Sequence, residues 1–168
     1  MAKYIANVTG TLTEVAAIAT SAGAGDAAKI PATDGTGRLD SSFMPVGLGA
    51  DTAVIVASEA LAAGDLVNVW SSAGAFKVRK ADASTSGKEA HGYVLAAVAS
   101  TANATVFFTD SDTQVTGLTP GVQFLSAVTP GLASATAPTA TGQTVQRVGV
   151  ATSATVLNFR SGPPIVLA

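Results

Sequence analysis

From Asp51 onward the chain alternates between short apolar segments and turn signals. Thr52–Ser58 is apolar and β-branched, and Leu66–Trp70 follows the turn residues Ala63-Gly64-Asp65. After a turn at Ser71–Gly74, Phe76–Lys80 alternates, which puts Phe76 and Val78 on one face. A polar loop over Ala81–Glu89 precedes two apolar segments, Tyr93–Ala99 and Thr105–Thr109, set around Ser100–Asn103. Further strands are predicted at Gln123–Val128, Thr144–Ala151 and Thr155–Phe159, closed by the turn Ser161–Pro164. Strand-length segments spaced by about 8–12 residues and bounded by Gly, Pro, Asn, Asp and Ser predict a small β-sandwich or β-barrel over residues 51–168.

Residues 1–50 read differently. Turn signals recur at Thr9-Gly10, Ser21–Asp26, Asp34–Gly37 and Val46–Gly49, and only short apolar pieces (Tyr4–Val8, Leu12–Ile18, Lys29–Ala32) lie between them. Such lengths suit hairpins and extended segments. Leu12–Thr20 is alanine-rich enough for a short helix, but Val15, Ile18 and Thr20 are β-branched and stiff, which favours a strand. So little apolar surface cannot offset the entropy of ordering the segment alone. An extended N-terminal arm that gains order by lying on something else is the expectation. The whole chain therefore reads as all-β.

A weak internal repeat relates Ala63–Val67 to Pro120–Phe124, each followed by a Gly-centred turn, Ala73-Gly74 and Pro130-Gly131. Both units end similarly: Val98–Ser100 with Ala104–Phe108, against Val150–Thr152 with Ala154–Leu157.

Composition adds a constraint on the surface. Charged residues make up 12% of the 168-residue chain, about half of the usual ~25%. Ala, Gly, Ser and Thr must cover much of the exterior, and such a surface is sticky on a free monomer. Between Thr113 and Phe159 the only charged residue is Arg147. Exposed strands normally carry Lys or Glu to prevent pairing with other chains, so burial between subunits of an oligomer is expected here. A formal charge of −2 gives no electrostatic footprint for nucleic acid. The mixed segment after Met1 does not read as a signal peptide, and no run approaches the ~20 apolar residues of a membrane span. Synthesis and assembly in the cytoplasm are expected.

Chemistry is sparse. Without cysteine there are no disulfides or thiolate sites, and His91 is the only imidazole available as a base. It starts a predicted strand, where a hydrogen bond at the strand end or an interface role outweighs catalysis. Asp110 and Asp112 have D-x-D spacing, and Asp34 and Asp40 flank a Gly turn, but neither segment supplies the six to eight oxygens calcium takes. Turn formation explains both. Ala24–Lys29 lacks the spacing of a phosphate loop, and the Asn7 and Asn103 glycosylation patterns carry no weight without a secretion signal. No cofactor or metal is expected, nor an enzyme. The better candidates for function are apolar: Phe43, Met44 and Pro45 lie in the core-poor arm, where they suit a contact with a partner or a neighbouring subunit. Folding back onto the β domain is the alternative.

Two segments carry a resemblance. Ser21–Ile30 (SAGAGDAAKI) with Gly37–Gly47 (GRLDSSFMPVG) resembles a recurrent pattern of tailed-phage structural proteins, with Ala28 where that pattern often has Gly. The pattern occurs in head decoration, or cement, proteins and in fibre proteins. Ala62–Val69 (AAGDLVNV), with Val78–Ala83 and Gly92–Ala96, is similar to the small β domains of phage capsid cement proteins. The resemblance implies a virion protein on the capsid exterior, bound to the major capsid protein and to itself, often as a homotrimer. It carries over no catalytic residue. A tail-fibre, spike or baseplate-associated adhesin is the alternative, although sugar sites favour aromatic platforms and the loops here hold few aromatics. A small hydrolase is the least supported reading.

Overall fold

A computed structural model describes residues 2–44 and 49–168, with the side chain of Val8 also outside the description. The chain divides into two compact units, residues 1–49 and 50–168. The fold is all-β: the described residues form fourteen strands and two short 3-10 turns, with no α-helix.

In the first unit, β1 (Lys3–Val8) and β2 (Thr11–Ala16) form an antiparallel hairpin in which Ile5 faces Glu14 and Asn7 faces Leu12. The strand reading of Leu12 onward thus holds, although β2 stops at Ala16 and Ile18 makes only a single bridge with Pro31. Among the described residues of this unit only Ala17 is a buried hydrophobic. Isolated two-stranded hairpins are marginal in water. The 3-10 turns at Ala24–Asp26 and Ser41–Phe43 are held instead by carboxylates, since Asp26 accepts from the Ala22 amide and Asp40 from the Ser42 amide.

The second unit joins a barrel to an open sheet. β3 (Thr52–Ala57), β4 (Leu66–Ser72), β5 (Ala75–Lys80), β6 (Gly92–Tyr93) and β7 (Asn103–Phe107) close in the order β3-β5-β4-β6-β7, with β3 and β5 parallel and the other pairs antiparallel. β8 (Asp110–Asp112), β9 (Gly121–Leu125), β10 (Ala133–Ser134), β12 (Arg147–Ser153) and β13 (Val156–Phe159) make an antiparallel sheet ordered β10-β9-β12-β13-β8. β11 (Thr144–Val145) pairs with β14 (Ile165–Val166) at the C-terminus.

Two cores follow from strand alternation. Ala57, Leu61, Val67, Val78, Val94, Ala104 and Val106 fill the barrel. Leu66 and Tyr93, each one residue from a barrel-filling side chain, point the other way and pack with Leu125, Val148, Leu157 and Phe159 from the sheet. Because consecutive residues of a strand face opposite sides, β4 and β6 form a wall with a core on each side. Both faces of that wall are apolar, which is why Leu66-Val67 and Tyr93-Val94 are adjacent apolar pairs and do not alternate with polar residues. Tyr93 stacks on Phe107 and meets Phe159 at a tilt, with ring centroids 5.5 Å apart in both pairs.

Several sequence expectations shift. Tyr93–Ala99 is not one strand: pairing ends at Tyr93 and resumes only at the Leu61–Val98 bridge. Val94 already spends its amide on the Asp65 carbonyl. Phe76 shares a strand side with buried Val78 but is 78% exposed, because it sits at the β4–β5 turn beyond the barrel end. Asp110–Asp112, read as a turn, is an edge strand of the sheet. The two repeat units also pair differently. Val98 bridges to Leu61 and Ala104 to Ile55, whereas Val150 and Leu157 belong to one hairpin.

The expected strand Thr144–Ala151 is broken at Gln146, and the break has a purpose. The buried Gln146 amide accepts the Ala90 N–H (2.7 Å) and donates to the Ala90 carbonyl (2.9 Å), standing in for a strand neighbour of the loop end. It also donates to Ser161 Oγ and the Gly162 carbonyl. Replacing it by an apolar side chain leaves the buried Ala90 amide unpaired. The Gln146→Leu variant is expected to lose about 2–4 kcal/mol of unfolding free energy, read from chemical denaturation. A loss below about 0.5 kcal/mol would mean that water replaces the amide and that the lock is not needed.

Candidate interaction surface

The sheet β10-β9-β12-β13-β8 buries one face in the second core and leaves the other uncovered within its unit. On the buried side lie Leu125, Val148, Leu157 and Phe159. The outer side presents Val122 and Phe124 from β9, Arg147, Val150 and Thr152 from β12, and Asn158 from β13, with Arg160 just beyond. Arg147 and Val150 are three residues apart and would fall on opposite faces of a regular strand. A β-bulge between Arg147 and Gly149 adds one residue against β9 and brings both to the outer face. Gly149 makes this possible. Its φ is +150°, and a Cβ there would come within 2.2 Å of the Asn158 carbonyl oxygen.

Beside this face, the loops around β10 add further uncharged surface. Val128 is 91% exposed and Leu132 is 45% exposed. A depression of about 300 Å³ near Val128 is lined by Ser126, Ser134, Pro138 and Gln143 among others, without a charged residue. On the barrel exterior Val54 and Phe76 are exposed, and on the hairpin of the first unit Ile5 and Leu12 are diagonal neighbours on one open face. Scattered exposed apolar residues are ordinary. What sets the sheet face and the β10 loops apart is the scarcity of charge, since Arg147 is the one charged residue between Thr113 and Phe159; the hairpin face of the first unit carries the Lys3–Glu14 pair.

Of the sequence candidates, Phe43 is half-buried at the end of a 3-10 turn and Met44 is about half exposed. Asp40 and a bond from the Ser21 amide to Ser42 Oγ fix this turn within its unit. Pro45, and the turn expected at 46–49 apart from Gly49, lie outside the described residues.

The polar candidates are placed as follows. His91 is exposed; its backbone N–H donates to the Val67 carbonyl (2.8 Å) and its Nδ1 accepts the Val69 N–H (3.0 Å). The imidazole thus extends the β4–β6 ladder by one bond. Asp34 accepts from Thr36 N, Thr36 Oγ1 and Arg38 N, and Asp40 from Ser42 N, so both close turns of their own. These bonds, led in Asp34 by Thr36 and in Asp40 by Ser42, hold both carboxyls below the usual range. Asp26 is likewise lowered, chiefly by the hydrogen bond from Lys29. Asp110 is exposed and caps its neighbour Ser111, whereas Asp112 is fully buried, so the D-x-D pair is split. Among the described residues no group of three or more His, Asp or Glu side chains could hold a metal.

Sequence reading missed the outer sheet face as a unit. The signal was present in Arg147, the lone charge of its stretch, followed two residues later by a glycine in a strand. Placing Arg160 beside it requires the β12–β13 register, which no local pattern encodes.

No family model, curated protein or solved structure matches this chain. What it does must be argued from its surface.

Buried charge gives the clearest stability test. Asp65 is paired with Lys80 (3.2 Å) and accepts the Ala62 amide. Asp112 accepts only the Gln114 N–H on Oδ1, and its buried Oδ2 has no partner. Burial, reinforced by the charge of Asp65 and opposed by the Gln114 bond, pushes its carboxyl up to about 6. A raised folded-state value means that unfolding releases the proton more easily. The stabilising contribution of this group is therefore complete below the unfolded value of 3.8 and is lost as pH rises towards about 6. At pH 7 the ionised group costs about 3 kcal/mol. The Asp112→Asn variant is expected to be about 1–3 kcal/mol more stable at pH 7 and to lose the decline between pH 4 and pH 6, as followed by denaturation at several pH values. Equal pH profiles for the two proteins would place the Asp112 charge in contact with water.

Proposed function

We propose that the chain is a structural protein of a tailed-phage particle, attached to the outer surface of the capsid as a decoration, or cement, protein. The carrying observation is the charge-poor, partly apolar exterior built by residues 113–159, in which Arg147 is the only charge and whose exposed Val122, Val128 and Leu132 and half-buried Phe124 have little cover in their own unit. A sheet face of this kind is stable against aggregation when neighbours cover it. In this reading the neighbours are the major capsid protein and further copies of the chain, arranged as a homotrimer. The unit of residues 1–49, with one buried hydrophobic among its described residues, acts as the attachment arm.

The phage resemblance supports the same reading, with a departure from its pattern at Ala28. Ala28 adopts φ +64°, a conformation that costs a side-chain-bearing residue and suits glycine. Glycine is what the resembling pattern often has there.

Attachment by many copies turns a modest interface per subunit into firm net binding. The full chain is expected to cosediment with particles stripped of it, and to label the whole head in electron micrographs. A chain lacking residues 1–49 keeps both cores of the second unit and is expected to fold, yet to bind particles at least about tenfold more weakly. Label confined to the tail would favour the fibre or baseplate reading, and undiminished binding without residues 1–49 would remove the arm from the account.

A further inference from the structure

The outer sheet face carries two cations that nothing in the chain answers. Arg147 on β12 and Arg160, just past the end of β13, are exposed and line one depression of about 360 Å³ together with Gly149, Val150, Thr152 and Asn158. Neither guanidinium has an ion-pair or hydrogen-bond partner among the described residues, and no carboxylate lines the depression. Five of the seven other Lys and Arg side chains are engaged. Lys3, Lys29, Lys80 and Lys88 pair with carboxylates, and Arg79 bonds Asn68 and Gly87 while stacking on Trp70.

We propose that this face binds a carboxylate-bearing segment of a protein partner. Each guanidinium presents a planar fork that matches a carboxylate with two parallel hydrogen bonds. Val150 lines the depression with them, and Val122 and Phe124 add apolar contacts on the same face from β9, on the other side of β12; an arginine–aromatic combination is the composition that interface centres favour. Two arginines in a chain of net charge −2 fit a peptide better than a polyphosphate backbone, which needs an extended basic surface. The bulge at Gly149 acquires a role here, because it is what turns Arg147 to the same side as Val150. The proposal rests on the attachment reading above and names the chemistry of the surface being met.

A synthetic peptide alternating Glu and Val, titrated into the full-length protein and followed by amide NMR shifts, is the direct probe. Shifts are expected at Val122, Phe124, Arg147, Val150, Asn158 and Arg160. They should weaken with added salt and fall about tenfold in affinity in the Arg147→Gln, Arg160→Gln double variant. Both side chains are exposed, so the variant is expected to keep the wild-type melting temperature. Absence of binding at millimolar peptide, or equal binding by the double variant, overturns the proposal. A short oligonucleotide that binds this face more tightly than the peptide overturns the choice of a protein partner. Particles separate this inference from the attachment reading. If they retain the double variant as well as the wild type, the face is wrongly assigned and attachment stands. If they bind neither protein, attachment falls and the peptide result decides the face alone.

Discussion

The wall formed by β4 and β6 is the constraint on which the second unit depends. Leu66 and Tyr93 face one core while Val67 and Val94 face the other, so the same short strands close the barrel and carry the sheet. Backbone bonds tie the junction together: the Leu66 amide donates to the Gly131 carbonyl, the Gly131 amide to the Ala81 carbonyl, and the Ala81 amide to the Leu66 carbonyl. Gly131 can sit there because it has no side chain. A Cβ would lie 2.7 Å from Asp65 Oδ1. Each fully buried aromatic or leucine on the sheet side adds about 2–3 kcal/mol, which lets the junction hold two ionisable groups, Asp65 and Asp112, within it.

One consequence is an asymmetry between the two faces of the sheet. Its inner face is committed to the shared core, so its outer face is free to be specified by something else. The residues found there are few in charge, small or apolar, and punctuated by two unpaired arginines. Selection for a soluble monomer would place mixed charges on such a face. The physical content of the assembly reading is that the cover comes from outside the unit.

Sequence reading recovered the all-β class, most strands of the second unit and the hairpin of the first, because these rest on local alternation and on turn residues such as Ala73-Gly74. It misjudged places where tertiary pairing overrides pattern. The apolar run Tyr93–Ala99 looked like a strand, but only Gly92 and Tyr93 find ladder partners. Asp110–Asp112 looked like a turn, yet Asp112 is drawn inward beside the core as an edge strand. Gln146 sits between Val145 and Arg147 in a segment expected to be one strand, and its role as a substitute strand neighbour depends on Ala90, 56 residues away. The candidate surface was half legible: the charge-poor stretch could be seen in the sequence, whereas the meeting of Arg147 with Arg160 depends on register and on a bulge. Phe43 and Met44 were legible as unusual apolar residues, and the structure gives them a local turn without a large core.

Electron cryomicroscopy of particles carrying the full-length chain tests the central claim most directly. The account predicts density for this protein over the capsid exterior, with the outer face around Val122, Phe124, Arg147, Val150 and Arg160 turned towards capsid protein or a neighbouring copy and its arginines against carboxylates. Density in which that face points to open solvent, or in which the chain is absent from the capsid surface, would contradict it.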